Sequence, residues 1–224
     1  RDVTGQRVEY LSVSHPHGRT VGVLHLPPGL KSGQRAPALL AIHPLGGDKD
    51  NFDFVLALFR EAGYATLCVD LVGHGDSFDG PRLKPDDEVL GVAALDLLAA
   101  RPEIDRDRLG VMGASLGAFY ALRTAAASPR ARVCLAYASG FDIGAGLPDA
   151  VPGIQEQIAW AIGAPSRRAA YAMAKPYHLR DVLGNIRCPV HLVHGTQDHI
   201  CDFAATYEIA RRVKSPISVH PLIG

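Results

Sequence analysis

Gly113-Ala114-Ser115-Leu116-Gly117 is a G-x-S-x-G pattern, and it stands where a short apolar run, Leu109 to Met112, gives way to a helical pattern beginning at Leu116. On a tight strand-to-helix turn a serine hydroxyl is held clear of the sheet. Small residues two before and two after it let the turn close, and the start of the helix aims backbone N–H groups at a bond under attack. The competing reading is a serine N-cap flanked by packing glycines. A serine hydroxyl is a poor nucleophile near neutral pH, so it needs a histidine to take its proton and a carboxylate to orient that histidine. Asp198, just after the apolar run Val190 to Val193, and Asp142, just after Val133 to Tyr137, are the carboxylates to consider. Asp198 can also be read as the N-cap of a helix near Phe203.

The elements that must position these residues alternate along the chain. Arg7 to Val13 and Thr20 to Leu26 read as an antiparallel opening pair, the second closed by Pro27-Pro28-Gly29. Ala38 to Ile42, Ala65 to Leu71, Leu109 to Met112, Val133 to Tyr137, Val190 to Val193 and Ile217 to Val219 are short apolar runs suited to central strands covered on both faces. Helical patterns fall between them at about Asn51 to Ala62, Asp86 to Ala100, Leu116 to Ala127 and Phe203 to Val213. This order predicts an α/β fold with a mostly parallel sheet between helical layers. Phe141 to Ile186 is too long for a simple crossover. Val151, Ile154, Ile158 and Ile162 form one helical stripe in it, and a second helix is expected near Ser166 to Ala174. The expected organisation is therefore a sheet domain of residues 1–140 and 187–224, with residues 141–186 a small helical lid inserted after the sixth strand, covering the mouth above Ser115.

With these motifs in this order the chain resembles the α/β-hydrolase superfamily, most closely its dienelactone-hydrolase-like and small-lid esterase branches. His43-Pro44-Leu45-Gly46-Gly47 follows the third strand, where that family has its oxyanion loop, with Pro44 in place of the usual first glycine. The resemblance implies the N–H groups of Leu45 and Leu116 as oxyanion donors. Gly73-His74-Gly75-Asp76-Ser77 resembles the family's turn after the fourth strand, which makes His74 a structural or pocket-edge histidine. The family's acid position matches Asp198, with Asp142 as runner-up. Its general base lies on the loop after the last strand, and the triad's chain order is Ser, acid, His. His220 is the in-chain candidate, but it falls within or at the end of the last strand. The base is therefore expected within about ten residues after Gly224.

Other features narrow the function. Lys plus Arg equals Asp plus Glu at 23 each, so no net field gathers phosphate backbones or an acidic membrane surface, and no nucleic-acid or membrane partner is expected. His191 and His194 lie three apart on a strand and face opposite sides, which argues against a zinc pair; no metal or cofactor is implied. Cys68, Cys134, Cys188 and Cys201 lack C-x-x-C spacing and are read as reduced and buried. No signal-peptide pattern or apolar stretch of about 20 residues occurs, so a cytoplasmic location is expected, with a homodimer possible. A start at Arg1 without Met is compatible with a fragment of a longer gene product. The expected activity is hydrolysis of a carboxylic ester, thioester or lactone of a small substrate through an acyl-enzyme. Trp160, Tyr171 and Tyr177 in the lid favour an apolar or aromatic group. The alternatives are a carbon–carbon bond hydrolase on the same machinery and a non-catalytic binding protein on the same fold.

Overall fold

A computed structural model describes residues 7–223. The apolar runs become β1 (Val8–His15), β2 (Gly18–His25), β3 (Ala36–Ile42), β4 (Ala65–Val69), β5 (Ile104–Ala114), β6 (Ala131–Tyr137), β7 (Val190–Gly195) and β8 (Ile217–Leu222). These pair in the order β1-β2-β4-β3-β5-β6-β7-β8. β1 and β2 are antiparallel to each other, β2 is antiparallel to β4, and the remaining pairs are parallel. β3 and β4, buried almost throughout, sit in the middle, as continuous apolar runs require. The register aligns Ile42 with Gly113, Ala114 with Tyr137, and Tyr137 with Val193. The loops after β3, β5, β6 and β7 therefore emerge together at one edge of the sheet, the C-terminal edge where open α/β sheets bind their ligands.

α3 (Glu88–Ala99) and α4 (Leu116–Ala127) cover one face and share its core with Leu40, Leu67, Val111 and Cys134. On the other face α1 (Lys49–Phe52) and α2 (Ala57–Glu61), joined by a 3-10 turn, cover β2 and β4 around Phe52, Leu56, Cys68 and Met112. The single helix expected over Asn51 to Ala62 is thus broken by the tight turn Asp53–Leu56. β5 also starts earlier than its apolar run, because Ile104 pairs with Ala36 while the charged residues Asp105 to Arg108 form an irregularity before Leu109. The final helix, α8 (Ala204–Ala210), is shorter than its pattern.

Between β6 and β7 the chain makes α5 (Ile143–Gly146), α6 (Pro152–Ala161) and α7 (Arg167–Met173). Pro152 opens α6 at a position where its missing N–H costs nothing, and Ser166 caps α7 by accepting from Ala169 N. Leu179 N donates to Phe141 O and Ile143 N to Tyr177 O, both at 2.9 Å, so the excursion leaves and rejoins the sheet domain at one point.

Candidate active site

Ser115 links the last residue of β5 to the first of α4 and has φ 52° and ψ −118°, a left-handed conformation that only the surrounding structure can impose on a residue with a Cβ. A Cβ on Gly113 would lie 2.2 Å from Gly117 O, and one on Gly117 would lie 2.1 Å from Ile42 O. Both glycines are therefore required by the closeness of helix, strand and neighbouring loop. Ser115 N donates to Tyr137 O at 2.8 Å, and Ser115 O accepts from Phe119 N as α4 begins. The hydroxyl makes no cap bond, so the plain N-cap reading fails. Its contact is instead with Cys201 Sγ, 3.7 Å away.

The loop after β3 is held from two sides. Leu71 N donates to His43 Nε2 at 2.9 Å, and His43 Nδ1 donates to Pro44 O at 2.7 Å. Burial drives the His43 pKa down to about 4, so the ring is a neutral brace. Gly47 N donates to Pro44 O across a turn whose third residue, Gly46, has φ 72°, the position that favours glycine. Beyond the turn, Lys49 N donates to Asp70 Oδ1 and Asp76 N to Asp70 Oδ2, while Lys49 Nζ reaches Asp50 and Asp76, each at 2.8 Å. Lys49 is 2% exposed; burial opposes its charge, but the carboxylates of Asp50, Asp76 and Asp70 outweigh that and hold its pKa above the usual lysine value. Sequence reasoning missed this clamp: a Lys among aspartates reads as a solvated run until the topology folds Asp70 beneath it. Among the described residues, the N–H groups of Leu45 and Leu116 have no acceptor in the chain.

Asp198 Oδ1 accepts from Ile200 N (2.8 Å) and Cys201 N (2.9 Å), and Oδ2 lies 3.5 Å from His194 Nε2. It does not cap α8, whose first turn is served by Asp202 through Ala204 N. Cys201 joins Asp198 to Ser115, so the structure brings those two residues to one place. Asp142 is otherwise engaged: it caps α5 through Ala145 N and pairs with Arg180. His220 is exposed on β8, bonded through Nε2 to Ser218 Oγ at 3.0 Å and stacked on His191. Among the described residues no histidine nitrogen lies within hydrogen-bond distance of Ser115 Oγ. His194 is buried and His191 half-buried on opposite sides of β7, and no group of three or more metal-ligating side chains occurs among the described residues. Cys201 is the cysteine expected in the core that is instead partly exposed, because it stands on the loop rather than in a strand.

α6 lies across the loops after β3 and β4. Its Gln157 Oε1 would be 3.0 Å from a Cβ on Gly46. Trp160 stacks on Phe78, lies under the Arg82 guanidinium and meets the edge of the buried His74, whose Nδ1 donates to Val72 O. Leu83 N donates to Ala161 O, and the buried Tyr177 donates to Leu83 O at 2.6 Å. Of the three aromatics expected to favour an apolar or aromatic group, Tyr177 is only 4% exposed and is bonded to Leu83, whereas Trp160 and Tyr171 are half-buried, Trp160 against Phe78 and Arg82. A groove of about 910 Å³ lined by Ser128, Arg132, Asn185 and Pro189 lies at the opposite, N-terminal ends of β6 and β7, away from Ser115.

A family model described as the alpha/beta hydrolase family matches residues 39–221. The chain belongs to that family. It is 30% identical over 165 residues to a 2,6-dihydropseudooxynicotine hydrolase of Paenarthrobacter nicotinovorans, covering 73% of this chain and 45% of the relative. An alpha/beta hydrolase, psoB, of Aspergillus fumigatus is 32% identical over 64% of this chain and 35% of its own length. The chain thus spans less than half the length of those curated relatives. Among solved structures, a 2,6-dihydroxy-pseudo-oxynicotine hydrolase superposes with TM-score 0.85 at 25% identity, over 95% of this chain and 60% of that one. An acetyl xylan esterase from Paenibacillus sp. R4 superposes with TM-score 0.78 over 99% of this chain and 78% of its own, and at 18% identity it speaks for the fold alone. No described helix of the chain is long and apolar enough to cross a membrane.

Proposed function

We propose that this α/β hydrolase cleaves a carboxylic ester, thioester or lactone of a small substrate through an acyl-enzyme on Ser115. The observation that carries the reading is the left-handed elbow at Ser115, whose hydroxyl is left out of helix capping. In the proposed reaction Ser115 Oγ bonds to the carbonyl carbon as its proton passes to a histidine, and the oxygen that gains charge is held by the Leu45 and Leu116 N–H groups. The histidine then protonates the leaving alcohol or thiol, and water repeats the sequence on the acyl-enzyme. Asp198 orients that histidine, its Oδ1 already held by two amides and its Oδ2 directed to the same side as His194. The base is assigned to the chain after β8, in the order Ser, acid, His, since His220 is bound to Ser218. Residues 141–186 act as a lid, an assignment supported by α6 resting beside the Pro44–Gly47 turn.

A second reading keeps this machinery for a carbon–carbon bond, and the similarity to a 2,6-dihydropseudooxynicotine hydrolase favours it. The test common to both is labelling of the full-length protein by a fluorophosphonate, expected at Ser115 and lost in Ser115→Ala. Labelling that survives this substitution overturns the assignment, and absence of any labelling favours a binding protein. Turnover of p-nitrophenyl esters against β-diketones then separates the two bonds.

A further inference from the structure

The loop after β7 turns back over the elbow, and one residue in it meets three parts of the site. Cys201 gives its N–H to Asp198 Oδ1 at 2.9 Å, accepts the Nε2 proton of buried His194 on its carbonyl at 2.8 Å, and brings Sγ to 3.7 Å from Ser115 Oγ. Its backbone is thereby pinned on both sides, which keeps its Cα beside the elbow. The Ser115 hydroxyl has no other hydrogen-bond partner among the described residues. A thiol is a weak donor and a weak acceptor, so it borders the hydroxyl without competing strongly for its proton. Burial pushes the Cys201 thiol up, so it stands as S–H, a hydrogen-bonding wall rather than a rival nucleophile.

From these contacts we infer that Cys201 is a specificity-determining residue for the proposed reaction, walling the pocket on the acid side, so that the side chain at 201 limits the bulk that can approach Ser115. The inference rests on Ser115 being the nucleophile. It predicts a change in discrimination, which loss of stability alone would not produce. Two fluorophosphonates are compared on the full-length protein, one with a methyl and one with an aryl substituent on phosphorus, and the ratio of their labelling rates at Ser115 is measured. Cys201→Ser, which keeps size and hydrogen bonding, is expected to preserve both rates within about threefold. Cys201→Ala is expected to raise the aryl-to-methyl ratio, and Cys201→Phe to lower it by about tenfold or more, the scale on which pockets discriminate by size. Should the Phe variant not fold, Cys201→Ile takes its place. An unchanged ratio in the Ala and the bulky variant overturns the role of Cys201, whereas labelling that does not depend on Ser115 overturns the nucleophile instead.

Discussion

Asp198 keeps its place through the loop that it begins: two backbone amides converge on Oδ1, and Oδ2, 3.5 Å from His194 Nε2, is the oxygen that the proposed mechanism turns toward the base. Asparagine there would preserve the acceptor toward the amides but remove the charge that selects the tautomer, so Asp198→Asn is expected to lower kcat on the order of 10⁴-fold with little change in KM. Asp142→Asn should leave kcat near the wild-type value and cost at most about 1 kcal/mol of stability, since asparagine still caps α5 and only the charge paired with Arg180 is lost. If the two variants behave the other way round in steady-state kinetics, the acid is Asp142. What was legible beforehand is placement: the glycines marked Ser115 as a strand-to-helix turn, and the apolar run Val190 to Val193 put Asp198 on the loop after a strand. The place of Cys201 was not legible, because its contact with Ser115 spans 86 positions of sequence and depends on how the loop after β7 closes. Gly117→Ala is expected to destabilise by at least about 3 kcal/mol in urea unfolding, since the new methyl would press on the backbone oxygen of Ile42, which cannot swing aside. A variant as stable as the wild type would mean that α4 stands farther from β3 than it does here.

At the scale of elements, the loop after β3 is braced rather than free. His43 ties its start to Leu71, and the buried pair of Lys49 with Asp70 ties its end to the turn after β4. Lys49→Met leaves Asp70 buried without its cation, and the expected loss is about 3–5 kcal/mol, because one partner of a buried pair costs more alone than the pair is worth. Adding Asp70→Asn to Lys49→Met should recover part of that loss in a double-mutant cycle; strictly additive effects would mean the two residues act separately. Strands announced themselves through their apolar runs, since both faces of β3 and β4 are covered. Element boundaries were harder. The charged start of β5 disguised a paired residue, Ile104, and the 3-10 turn that splits the helix after the clamp keeps Phe52 and Leu56 at helical spacing, so the apolar pattern did not reveal it.

The whole molecule should respond to acid through its buried imidazoles. His43, held down to about 4 against 6.5 in the unfolded chain, is neutral in both states above pH 6.5, so its contribution to stability is complete there. As the pH falls from 6.5 toward 4, the unfolded chain takes up a proton that the folded one refuses, and stability declines by a total on the order of 3 kcal/mol. His74, also lowered by burial, acts in the same direction. Urea midpoints at pH 7, 5.5 and 4.5 should fall in that order, and the slope should be shallower in His43→Gln; an equal slope would put the proton uptake elsewhere.

The foot of the helical excursion has a consequence for how such a molecule can change over evolutionary time. Phe141 and Leu179 meet across one hydrogen bond, as do Ile143 and Tyr177, so the sheet presents two adjacent stubs whatever lies between them. The cost of closing an inserted segment on such stubs rises only slowly with its length. A graft of foreign helices on those stubs can therefore leave β6 and β7 in register if it replaces the fastenings that α6 makes at Phe78, Arg82 and Leu83 and the packing of Ile158, Ala161 and Ile162 on the core. On the proposed lid assignment, a new substrate range is acquired by trading that module together with its packing on the core, while the elbow and its braces keep their residues.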